Sequence, residues 1–196
     1  MRTSREGWYN LKEFSMFEFA LRAAQGSRLE EFGNVSIVSQ KTFEESPTFR
    51  FRAKVPCLEY VSLMIENALL LRTHREGRVY VGFEKLSRMD YVADRFMRIS
   101  DVSERVYVFG VPDWNPPRHP NLGVVKLKPD TNLAREWFVI AHSGKYHAAL
   151  VAVDEDGFDV PVLDERNFRS FKSTDPSIVA RLAAAAEDLI DQSAKS

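Results

Sequence analysis

The feature that most limits what this chain can fold into is a strand, helix, strand succession in its middle. VYVGF at 79–83 is a short apolar run. The stretch near Asp90 to Ser100 then reads as a helix that buries Tyr91, Val92, Phe96 and Ile99, and VYVFGV opens a second apolar run at Val106. Two such runs joined through a helix read as a parallel pair with a right-handed crossover. That arrangement asks for a sheet with helices packed on it.

The flanking segments extend this pattern. Ser15 and Glu18 have the spacing of a capping box and Phe14 with Phe19 that of a hydrophobic staple, so a helix starts there and ends near Gly26. A strand is expected at 35–39, and FRFRAK at 49–54 alternates apolar and basic side chains like an edge strand or extended arm. Pro56 suits the first helical position. After it Leu58, Val61, Met64, Ile65, Ala68, Leu69 and Leu71 leave only a narrow polar stripe near Glu59, Ser62 and Glu66, which makes that helix central. His74 and Arg75 fall in its last turn, before a stop at Gly77.

Past the proline-rich stretch, NLGVVKLK, REWFVIAH, YHAALVAVDE and FRSFKS are short, with Ser143-Gly144 and Asp156-Gly157 as turn signals, and read as antiparallel strands. Asp175 before Pro176 opens a final helix with Ile178, Val179, Leu182, Ala183, Ala186, Leu189 and Ile190 on one wide stripe. The sum is a single α/β (mixed α+β) domain, a mixed parallel and antiparallel sheet flanked by helices. It spans 14–191, between an extension at 1–13 and a tail at 192–196. Within the last helix Ile178, Leu182, Ala185 and Leu189 recur at seam spacings. They suit either a homodimer contact or a helix that covers one face of its own sheet.

A length of 196 residues suits one domain, and Lys+Arg (27) nearly cancels Asp+Glu (28) for a net charge of -1. That balance makes nucleic acid an unlikely partner. No apolar run is long enough for a membrane span, and Cys57 is the only cysteine, so a reducing, cytoplasmic setting is expected. His74, His119, His142, His147 and Cys57 lack the tight ligand pairs of a metal site, and Gly82, Gly110 and Gly123 are isolated rather than a phosphate loop. Glu104, Glu136 and the acidic turn Asp154, Glu155, Asp156 read as solvated charges. No base and nucleophile stand at recognisable spacing, so neither an enzyme nor a bound metal or cofactor is expected.

Several strings in this order resemble the DICT sensory domain of bacterial and archaeal signalling proteins: SMFEF, Lys54 leading into EYVSLMIENALL, the strand to Phe83 before DYVADRFMRIS, ERVYVFGVPD, REWFVIAHSGKYHAALVAV and RNFRSFKSTDPSIV. The resemblance runs roughly from Phe14 to Leu189. It implies a sensor rather than an enzyme, one that binds a small ligand or a protein partner and hands its state to a separate output protein such as a histidine kinase, response regulator or diguanylate cyclase. The chain carries no evident output domain of its own.

The residues singled out for binding gather around the strand that opens at Val106 and the loop after it. Asp113 and Trp114 would stand beyond that strand's carboxyl end, where ligands commonly bind in parallel sheets, on a loop stiffened by Pro112, Pro116, Pro117 and Pro120. They suit either a binding rim or a core cap with an Asx-turn. Arg105 enters the strand and Arg95 lies on the helix before it, each a candidate ligand contact or structural ion pair. Tyr91, Arg95, Trp137 and Tyr146 form a possible shared cavity. The alternative function is a small-molecule enzyme with its site at 105–114.

Overall fold

The caps written into the sequence start the first and last helices of the domain. In the computed structural model, which describes residues 10–194, Ser15 caps α1 (Met16–Ala23) by accepting a hydrogen bond from the Glu18 amide at 3.1 Å. Asp175 caps α5 (Pro176–Ser193) by accepting from the amides of Ser177 and Ile178. Between them lie α2 (Gln40–Glu45), α3 (Val55–Leu70) and α4 (Ala93–Asp101), the last preceded by a 3-10 helix over Leu86–Val92. Of the outermost expectations, residues 1–9 and 195–196 lie outside the described residues.

Eight strands form one sheet: β1 (Glu30–Asn34), β2 (Thr48–Lys54), β3 (Arg78–Lys85), β4 (Arg105–Val111), β5 (Leu122–Lys126), β6 (Glu136–His142), β7 (His147–Asp154) and β8 (Asn167–Ser173). Their spatial order is β1-β2-β8-β7-β6-β3-β4-β5. β3 and β4 pair in parallel through the α4 crossover, while β3-β6, β6-β7, β7-β8 and β8-β2 are antiparallel. The sheet is mixed and the fold α/β.

Strand alternation gives the sheet two buried faces. Val79, Val81, Val106, Val108, Val139 and Leu150 point to one side, where α3 and α4 supply Leu58, Val61, Ile65, Phe96 and Ile99. Tyr80, Phe109, Phe138, Ile140 and Val151 point to the other, under α1 and α5. The product is a three-layer stack. Among the described residues no helix is long and apolar enough to cross a membrane.

Several local expectations are corrected. The strand placed at 35–39 lies earlier, at Glu30–Asn34, and β2 is second from the sheet edge because β1 pairs with it in parallel. α3 ends at Leu70, so His74 and Arg75 follow the helix, and Gly77 stands at φ +72° just before β3. Tyr91 is 94% exposed rather than buried. β5 runs parallel to β4 because residues 112–121 carry the chain back along the strand: Arg105 donates to the Pro120 carbonyl at 2.9 Å and Asn121 to the Ser100 carbonyl at 3.0 Å. Glu136 and Asp154 are buried, not solvated. Ile178, Leu182, Ala185 and Leu189 of α5 are buried against the domain's own sheet, which leaves the seam spacing no free surface.

Candidate ligand-binding cavity

The polar stripe of α3 turns inward. Glu59, Ser62 and Glu66 lie on the side of the helix that faces β3, β6 and the segment from the 3-10 helix into α4, and between these elements opens a cavity of about 550 Å³. Val81, Phe83, Phe96, Trp137 and Val139 form its apolar walls, with Arg88 and Tyr91 from the 3-10 helix and Leu163 with Asp164 at the far side. Gly82 belongs to its floor through its backbone, and a Cβ there would point to the opposite face of the sheet and meet the Phe138 ring at 2.3 Å. The register of β3 and β6 therefore requires glycine there.

Each polar wall group has a distinct state. Trp137 donates its indole N–H to Ser62 Oγ at 3.2 Å, which fixes the indole plane, and Phe168 packs edge-on against the same ring. Arg95 on α4 holds Glu66 on α3 in an ion pair and also donates to the Asn67 side chain, so the two helices that flank the cavity are tied together. Burial pushes the Glu66 carboxyl up, against the pull of Arg95. Glu59 is also raised, first by burial and then by the charge of Asp164, with Arg88 opposing.

Behind the cavity lies a buried ionic cluster. Glu84 has φ +63° at an irregularity in the β3 register, a left-handed conformation that is costly for a residue with a Cβ. Its carboxylate accepts two hydrogen bonds from Arg166, at 3.0 and 2.9 Å, and Arg166 also donates to Asp154 at 2.9 Å. Arg88 approaches the same carboxylate at 3.6 Å. The strained residue is thus held by fully buried partners, and Arg88 belongs to both the cluster and the cavity wall.

Of the residues singled out from sequence, Tyr91 and Trp137 line this cavity, and Arg95 acts one contact behind it through Glu66. Tyr146 does not line it; its buried hydroxyl has no hydrogen-bond partner among the described residues. Asp113 and Arg105 stand at opposite ends of β4. Asp113 accepts from the Ser87 amide at 2.9 Å and hydroxyl at 2.6 Å, and these bonds hold its carboxyl below the usual range although burial alone would raise it. Trp114 packs half-buried on the α3/α4 core. Glu59, Ser62 and Glu66 had a signal in the sequence, a polar stripe on an otherwise apolar helix, but its inward sense came only from the fold. Leu163 and Asp164 had none.

Fold and cavity together define a three-layer α/β domain with a side pocket between its sheet and one helical layer. The family described as the sensory domain in diguanylate cyclases and two-component systems, DICT, matches residues 36–155, more than half of the chain. The chain belongs to this family. No curated protein matches it. Among solved structures it is similar to a polyphosphate kinase from Porphyromonas gingivalis, with 19% identity and a TM-score of 0.44 over 72% of this chain. It spans 23% of the kinase chain, and so slight a likeness carries no inference.

Proposed function

We propose that this chain is a non-catalytic sensory module that binds a small molecule in the cavity between α3, α4 and β6 and presents the bound state to a separate signalling protein in the cytoplasm. The cavity is the observation that carries this reading. Its volume of about 550 Å³ falls within the range of roughly 300 to 1,000 Å³ usual for small-molecule sites, with apolar walls and few polar groups as such sites have. Its walls belong to α3, α4, the 3-10 helix, β3 and β6, with Leu163 and Asp164 beyond them, so an occupant bears on how α3 and α4 sit on the sheet. Trp137 and Tyr91 are the binding aromatics in this proposal, and Arg95 positions Glu66.

Catalysis is disfavoured by the state of the nucleophile on the wall. Ser62 Oγ accepts from Trp137, and neither Glu59 nor Glu66, the carboxylates one turn away on the same helix, takes a hydrogen bond from it; Glu66 is held by Arg95 instead. The test is a thermal-shift screen of small metabolites on the wild type and on Ser62→Leu, which sets a larger apolar side chain into the cavity and removes the acceptor that holds the Trp137 indole. Compounds that raise the melting temperature of the wild type and leave the variant unmoved are expected. Stabilisers that act equally on both place binding elsewhere and overturn the reading.

A further inference from the structure

Charge at the cavity mouth is one-sided. Glu59 and Asp164 both line the cavity, and neither has a hydrogen bond or ion pair among the described residues. The other two charged liners are already engaged: Glu66 with Arg95, and Arg88 with Glu84. Glu84 and Asp154 in turn face Arg88 and Arg166, two anions against two cations, so that cluster closes on itself. What is left over inside the site is two carboxylates.

The walls suit the same kind of occupant. Trp137 and Phe83 are half-buried rings of the wall, and Tyr91 stands at the lip with 94% of its surface exposed. Aromatic faces attract cations, and a cation between two carboxylates relieves the repulsion that Asp164 already exerts on Glu59. Arg88 is the one opposing charge. Its guanidinium lies over the Trp137 and Phe158 rings at 5.9 Å each and faces the buried Glu84, and Glu59 and Asp164 also act on its charge, so three carboxylates already surround the one cation of the wall.

We infer, resting on the reading of the cavity as the sensing site, that the ligand is an organic cation with an apolar or aromatic body, held by Glu59 and Asp164 at its charged end and by Trp137 and Tyr91 along its length. Shape-matched probes test the charge class. Tryptamine, tryptophol and indole-3-propionate share a ring and a two-carbon arm and differ in carrying a cation, a neutral hydroxyl and an anion. Titration calorimetry is expected to rank tryptamine first, at least about tenfold tighter than tryptophol, with the propionate weakest. The double variant Glu59→Gln with Asp164→Asn should level tryptamine with tryptophol while melting like the wild type, since both side chains are exposed and unpaired. If tryptophol or the propionate binds as tightly as tryptamine, and Ser62→Leu abolishes all of it, the cavity stands and the cation class falls. If none of the three binds, or Ser62→Leu leaves their binding unchanged, the sensing-site reading falls and the cation class with it.

Discussion

At the scale of single residues, Glu136 stands in an environment far from what its type suggests. It is fully buried at the start of β6 and serves as a second cap for α1, accepting from the Ser15 hydroxyl and, at 2.8 Å, from the Met16 amide. Burial outweighs those hydrogen bonds and raises its carboxyl to about 7 from an ordinary 4.5. The folded state therefore keeps a proton that the unfolded chain gives up. Stability from this group is complete below about 4.5 and is lost as pH rises through 7. Glu136→Gln cannot ionise, so the stability of the wild type relative to this variant should fall by up to about 3 kcal/mol between pH 4 and pH 8. Urea denaturation of both proteins across that range measures it, and a difference that stays flat with pH refutes it. Tyr146 offers a simpler case. Its buried hydroxyl lacks a partner and burial raises it to about 12, so Tyr146→Phe should hold or raise stability, by up to about 1 kcal/mol.

At the scale of elements, the buried ionic cluster ties β3 to the segment that leads into β8. Arg166 supplies three hydrogen bonds to Glu84 and Asp154, and its removal leaves two carboxylates buried, with Arg88 at 3.6 Å from Glu84. Arg166→Ala should cost about 3 to 5 kcal/mol, read as a lower urea midpoint, and a loss under 1 kcal/mol would show that water replaces the guanidinium. The same contrast of local and distant causes decides which elements were legible. α1 and α5 were, because Ser15 and Asp175 act on amides two or three residues away and Pro176 presets the first helical φ. α2 was not: Ser39 caps it on the Thr42 amide, but Phe43 is the one buried residue of its six, so no apolar period marks it, and its closing carbonyls at Phe43 and Ser46 are met by the ammonium of Lys172, which belongs to β8. The direction of β5 was hidden for a similar reason. The proline loop after β4 looked like a turn, yet its far end is fixed by Arg105 and Ser100 beside the start of that strand. Of the cavity, Trp137, Tyr91 and the α3 stripe were visible in the sequence, whereas its closure by Leu163 and Asp164 depends on a chain path that no local pattern encodes.

At the scale of the molecule, the sheet is closed by chain that lies outside the family match. β2 falls inside residues 36–155, but its neighbours are β1 at Glu30–Asn34 and β8 at Asn167–Ser173, and neither belongs to that segment. Without β8 the order β1-β2-β8-β7 is broken, and β2 has no strand to join it to β7. The second face of the sheet suffers more. Phe109, Phe138, Ile140, Ala149 and Val151 are covered by α1 and α5, and both helices also fall outside the matched residues. Exposing that face forfeits burial of several large apolar side chains at about 1.5 to 3 kcal/mol each, against a total stability of about 5 to 15 kcal/mol for a domain of this kind. The folding unit in solution should therefore be close to 14–191 rather than 36–155. Residues 10–194 should show one cooperative urea transition and a near-ultraviolet circular dichroism spectrum from fixed aromatic side chains, while residues 36–155 alone should show neither. Leu182→Glu in the longer chain probes the same face, and it should unfold the domain rather than release a folded monomer, because Leu182 is buried under the sheet that α1 and α5 share. A cooperative transition in the 36–155 fragment would mean that the α3/α4 face and six strands suffice, and that α1 and α5 are additions to a smaller domain.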